Sequence, residues 1–131
     1  MNVHGDPKTE YPFYLGHADE VGAGDGLGFN LNLPLPAGTT VATWFSAIEE
    51  ATRRIRACEV GALVVSLGLD TFVDDPISKF SLRSEDFLEL GSQLEKLGVP
   101  TALVLEGGYA ARELGINAAN VLDGFEQSSQ R

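Results

Sequence analysis

Two apolar runs in this chain of 131 residues end in groups that could do chemistry. VVSLGL, residues 64–69, delivers Asp70, and a loop carrying Asp74 and Asp75 follows it. ALVLE, residues 102–106, delivers Gly107, Gly108 and Tyr109. A carboxylate at a strand end can hold a cation or move a proton. A phenol there can donate to a developing oxyanion, and paired glycines let a backbone or ligand approach closely. Taken singly, Asp70 reads as a loop or helix cap and Tyr109 as the residue that starts a helix. Together, on the ends of neighbouring strands, they outline a site. Ser66, His4 and Asp70 also hold the groups of a hydrolytic triad, but no Gly-x-Ser-x-Gly turn surrounds Ser66, which reads as an ordinary strand residue.

The elements that must position these groups are visible in the apolar periods. Phe29, Leu31 and Leu33 alternate with Asn30 and Asn32, a half-buried strand that Pro34 and Pro36 should end. From Thr40 to Cys58 the period becomes helical. Val41, Trp44, Phe45, Ile48, Ala51, Ile55 and Cys58 form one stripe, with Thr39 or Thr40 as N-cap. Glu49–Arg53 and Glu50–Arg54 pair on its solvated face. VGALVVSLG is apolar on both faces, as in a parallel sheet covered by helices. Ser84 opens a second helix, striped by Phe87, Leu90, Leu94 and Leu97 and stopped by Gly98. PTALVLEGGY is a second buried strand. Leu114, Ala118, Val121, Leu122 and Phe125 stripe a last helix, after which QSSQR frays. Strand and helix alternate throughout, so the class is α/β with a parallel core, whose ligands bind beyond the carboxyl ends of the strands.

Length predicts one domain over residues 1–131 that buries roughly two-thirds of its unfolded surface. The net charge of −10 argues against a nucleic-acid partner, which needs a basic face. It suits cations instead, polyamines and metals among them. No apolar run approaches the roughly 20 residues of a membrane span, and residues 1–20 lack a signal-peptide core. Cys58 is alone, so it forms no internal disulfide and reads as a core thiol in a cytoplasmic protein. The acidic loop of Asp70, Asp74 and Asp75 offers a third reading, a cation-binding module.

SLGLDTFVDDPISKFSL followed by LVLEGGY resembles the C-terminal part of the histone deacetylase superfamily, in its acetylpolyamine amidohydrolase branch, and HGDPKTEYPFYLGHADEVGAGDGLGFNLNLPLPAGT resembles the segment preceding it there. The resemblance implies a three-layer arginase/deacetylase-like parallel sheet, truncated to about four strands and three main helices, and zinc-dependent removal of acetyl groups from amines. It implies Asp70 as a metal ligand, Tyr109 as the catalytic group that polarises the acetyl carbonyl, and Phe13 and Tyr14 as aromatics of a narrow substrate channel; core packing explains those two aromatics equally well. It also implies paired histidines and an Asp-x-His pair upstream. This sequence holds only His4 and His17, not adjacent, and no Asp-x-His. A catalytic zinc needs three protein ligands, so tight zinc binding by this chain alone is not expected. The His-Gly-Asp of His4 and Asp6 contributes ligands only if the sheet is rebuilt. The expected function is hydrolysis of an acetylated amine or a small acyl ester; the alternative is a non-catalytic remnant or binding module. The resemblance also leaves the VVSLGL strand without a neighbour, so a homo-oligomer is expected, or a sheet in which residues 1–5 or GFNLNL fill the gap.

Overall fold

The computed structural model describes residues 1–11, 13–77 and 79–129. Pro12 of the YPFYLG run, Ser78, and Gln130 and Arg131 of the QSSQR tail lie outside the described residues. The elements are β1 (Asn2–Gly5), β2 (Asn32–Leu35), α1 (Val41–Ala57), β3 (Leu63–Leu67), α2 (Asp86–Glu95), β4 (Thr101–Leu105) and α3 (Leu114–Ser129). The order is the alternation that the periods imply, with β1 added in front, and Gln127–Ser129 continue α3 rather than fray.

The strands form two separate parallel pairs, β1 with β2 and β3 with β4. Residues 2–5 and the GFNLNL segment therefore meet each other, and neither fills the gap beside β3, against expectation. The Asn2 N–H donates to the Leu31 carbonyl at 2.8 Å, and its side-chain amide donates to Asn32 Oδ1 at 2.9 Å. These bonds fix β1 to β2. Asn32, expected to face solvent, is buried because its amide also donates to the His17 carbonyl and to Glu20 Oε2. Pro34 sits inside β2 rather than ending it. Leu31 and Leu35 accept from β1, so by the parallel alternation the Pro34 nitrogen faces the free edge, where no donor is needed.

Thr40 caps α1 by accepting from the Thr43 N–H at 3.2 Å, and the stripe buries Trp44 and Ala51. The expected charge pairs are rearranged, although the charge of Arg54 still acts on Glu50. Arg53 turns back to Glu50 at 2.6 Å, and Arg54 donates to the Gly28 carbonyl. α2 starts at Asp86, whose carboxylate accepts from the Arg83 N–H at 2.7 Å, so Ser84 lies in the preceding turn. The core joins Trp44, Leu67, Leu69, Phe72, Leu82, Phe87, Leu90, Leu94 and Val121. In α3, Asn117 and Gly124 are buried beside Val121, whereas the expected stripe residue Leu122 is exposed.

β3 is covered on one face only. Leu63, Val65 and Leu67 pack toward the helical core, but Val64 is 71% exposed. The reading of a strand covered on both faces is thus half met: these helices supply one covering layer.

Candidate functional site

The β3–β4 ladder runs past both strand ends. The Glu106 N–H donates to the Leu67 carbonyl at 3.0 Å and the Leu69 N–H to the Gly107 carbonyl at 2.8 Å. This extension brings Asp70 beside Gly107. A Cβ on Gly107 would lie 2.5 Å from Asp70 Oδ2, and one on Gly68 would lie 3.1 Å from Oδ1. The group that approaches the glycine closely is therefore the Asp70 carboxylate itself. Gly108 has φ +134°, and a Cβ there would lie 2.6 Å from Leu114 Cδ1, so only glycine makes this turn comfortably. Burial raises the Asp70 carboxyl above the ordinary carboxylate range. The nearby negative charge of Asp75 adds to that rise, and a hydrogen bond from its own backbone opposes it.

Asp75 is the residue whose role the sequence did not reveal. It is 5% exposed, and its Oδ2 accepts from the Tyr109 N–H at 2.7 Å and the Ala110 N–H at 3.2 Å. Its Oδ1 accepts from the Ile77 N–H at 3.1 Å. The last bond is an Asx-turn, legible in the Asp75-Pro76 pair; the other two join loops 34 and 35 residues apart. Asp75 thus sets where the chain leaves β4 and how Tyr109 is presented. In the acidic loop Asp74 is exposed and Asp75 is occupied by backbone donors, while Asp70 lies close enough to feel the charge of Asp75.

Asp70, Gly107 and Tyr109 line one end of a groove of about 1090 Å³ that runs between β1 and β3 over Trp44 and Ile48. Tyr109 is 56% exposed. Phe13 and Tyr14 are 60% and 74% exposed, which rules out core packing for them. They sit on a turn between Tyr11 and Leu15, which do line the groove. Phe13 adopts φ +71°, uncommon for an aromatic residue, while its N–H donates to the Glu10 carbonyl at 3.0 Å. His4 and Ser66 line the same groove. His4 Nδ1 lies 2.8 Å from the Gly5 carbonyl, its Nε2 is buried without a partner, and no hydrogen bond among the described residues links it to Ser66 or Asp70. The triad is therefore not assembled.

Among the described residues no three His, Cys, Asp or Glu side chains converge, and Asp6 is turned to the Lys8 N–H at 2.9 Å. Asp70 would supply one carboxylate to a catalytic zinc, which takes three protein ligands.

The profile of the histone deacetylase domain matches residues 1–125. Over 125 residues the chain is 56% identical to Acetylpolyamine amidohydrolase 2 of Pseudomonas aeruginosa, covering 95% of this chain and 36% of that relative. It is 48% identical over 129 residues to Acetylpolyamine amidohydrolase 1 of the same organism, covering 98% and 37%. The crystal structure of acetylpolyamine aminohydrolase from Burkholderia pseudomallei superposes with a TM-score of 0.94 at 42% identity, over 96% of this chain and 37% of the other. The chain thus spans little more than a third of the length of these relatives.

Proposed function

This chain belongs to the histone deacetylase family, and we propose that its site serves the hydrolysis of an acetylated amine of the polyamine type. The observation that carries this reading is the delivery of Asp70 and Tyr109, from the ends of paired parallel strands, to one end of one groove. The names of the relatives supply the substrate class, and a net charge of −10 favours a cationic amine. In this reading the Tyr109 phenol donates to the acetyl carbonyl oxygen as negative charge develops on it. Asp70 would be one of the ligands of a zinc, which would polarise the acetyl carbonyl when bound. Phe13 and Tyr14 flank the acyl-amine chain, and the side-chain-free backbone of Gly107 and Gly108 lets the acetyl group come close. A small acyl ester fits the same chemistry. The setting we assign is the cytoplasm, consistent with the lone thiol of Cys58; no helix among the described residues is long and apolar enough to cross a membrane.

The test is release of acetate from an acetylated diamine by the purified chain with added zinc, alongside Tyr109→Phe. Loss of an oxyanion donor costs about a hundredfold or more in turnover, so the variant should fall by that much while keeping its fold. Full activity in Tyr109→Phe would remove the proposed role. A second reading, a binding module that associates with other chains and does no chemistry itself, is favoured by the exposed face of β3 at Val64. It predicts binding of the acetylated diamine, or of another chain, with no acetate released.

A further inference from the structure

The His-Gly-Asp run at the end of β1 builds a turn that brings one carboxylate to the groove. The Asp6 carbonyl accepts from the Thr9 N–H at 2.9 Å and the Glu10 N–H at 2.8 Å, and Asp6 Oδ1 accepts from the Lys8 N–H at 2.9 Å. The Glu10 carbonyl in turn accepts from the Phe13 N–H at 3.0 Å, so the backbone of Glu10 is held on both sides. Its side-chain stem lies against Gly5, where a Cβ would come within 2.7 Å of Glu10 Cγ and 2.9 Å of Glu10 Cβ. The missing side chain of Gly5 is what lets the Glu10 stem lie on the end of β1. Glu10, Tyr11 and Leu15 all line the groove that Asp70 and Tyr109 line.

The Glu10 carboxylate is weakly compensated for so sheltered a group. Its side chain is 19% exposed, and among the described residues its Oε1 is buried and accepts no hydrogen bond. The charge facing it is the Lys79 ammonium at 3.5 Å, beyond ordinary hydrogen-bond length, on a side chain that is 62% exposed. A sheltered carboxylate oxygen gains from a charged donor at about 2.7–2.9 Å, and an exposed lysine loses little by turning to water. The neighbouring carboxylates of the groove are placed differently. Glu20 Oε2 already accepts from the Gly16 N–H at 2.8 Å and the Asn32 amide at 3.1 Å, and Glu106 is exposed. Apart from Asp70, Glu10 is therefore the groove carboxylate that is both sheltered and open to a stronger donor.

We propose that Glu10 is a subsite for the free ammonium of a mono-acetylated diamine, and that Lys79 is the internal cation which this ammonium displaces. Lys79 itself points to the ligand class. Its side chain is an ammonium on a four-carbon stem, the same group that ends an acetylated diamine. Tyr11, Leu15 and Ile77 supply apolar surface in the same groove for the methylenes between the two ends. An acetylated amine without a second charge cannot make this exchange, so the Glu10–Lys79 pair selects for cationic ligands and rejects neutral ones. This inference rests on the hydrolase reading for the acetylated ligand class, but its test reads binding rather than turnover.

The test measures by calorimetry the binding of mono-acetylated diaminobutane and of N-pentylacetamide, its uncharged isostere, to the unaltered chain, Glu10→Gln and Lys79→Met. The unaltered chain should bind the charged ligand more tightly than the neutral one. Glu10→Gln should weaken the charged ligand by about fivefold or more and leave the neutral one unchanged, as expected for loss of a half-sheltered ion pair. Lys79→Met removes the competing cation, so it should tighten the charged ligand by about fivefold and again leave the neutral one unchanged. A merely structural role for the pair would weaken both ligands alike in both variants. Should Glu10→Gln fail to fold, Lys79→Met decides alone. The proposal is overturned by equal binding of the two ligands to the unaltered chain, or by no binding of either at millimolar concentration. It is also overturned if Glu10→Gln keeps the charge preference or Lys79→Met binds the charged ligand no better. Failure of the hydrolase reading looks different, since these affinities would stand while no acetate is released.

Discussion

Three backbone donors converge on the Asp75 carboxylate, two of them from the segment that presents Tyr109. Removing a buried acceptor leaves those donors unpaired and costs about 1–3 kcal/mol. Asp75→Ala should lose stability in that range, and the Tyr109 and Ala110 amides should exchange hydrogen faster than the amides of β4. Unchanged exchange there would mean the loop is held by something else. Asp70 makes a pH-dependent prediction. Burial, then the charge of Asp75, raise its carboxyl above the ordinary range. The folded chain therefore binds that proton more tightly than the unfolded chain, whose carboxyl titrates near about 3.9. The Asp70 contribution to stability consequently falls as pH rises from that value through the raised one, and is level above it. In metal-free buffer Asp70→Asn should raise the Tm at pH 7 and lose most of that advantage near pH 3. An equal gain at both values would contradict this. Asp70 and Tyr109 were legible in sequence because each follows an apolar strand. Asp75 was legible only as a turn, because a bond between residues 34 apart leaves no local pattern.

At the scale of elements, α2 and α3 approach through glycine. A Cβ on Gly91 would collide with the Val121 carbonyl oxygen, and one on Gly124 with the Leu88 carbonyl oxygen. These are helix backbone atoms, which cannot move aside as a flexible side chain can. Gly91→Ala and Gly124→Ala should each cost about 1–3 kcal/mol or more, seen as a lower urea midpoint. Gly115, also in α3, has nothing near its missing Cβ, so Gly115→Ala should instead stabilise by about 0.4–1 kcal/mol. If all three shift the midpoint alike, helix propensity rather than the close approach governs. The stripe of α2 was legible, since Phe87, Leu90 and Leu94 are all buried. That of α3 was read slightly rotated, because periodicity counts apolar residues and so passes over Asn117 and Gly124. Pro34 misled for a related reason: a proline ends a strand only where its nitrogen must donate, and here it faces an edge.

At the scale of the whole molecule, helices cover one side of β3 and β4, and among the described residues none covers the other. That side exposes Val64 and Val104 on adjacent strands, and among the described residues the far edge of β4 pairs with no strand. Both-face apolarity in VVSLGL and ALVLE was legible in sequence. Which layer this chain itself provides was not, because the apolar pattern records what a strand is built to face and not which chain supplies the cover. Exposed contiguous apolar surface tends to be buried by association. Light scattering should therefore give a mass above that of one 14.0 kDa chain, rising with concentration. Replacing Val64 and Val104 together by Thr keeps the preference for strand and adds a hydroxyl to each exposed position. That double variant should scatter as a single chain with an unchanged far-ultraviolet spectrum. A wild-type chain that stays monomeric at millimolar concentration would count against association through this face, and so would a double variant that associates as before.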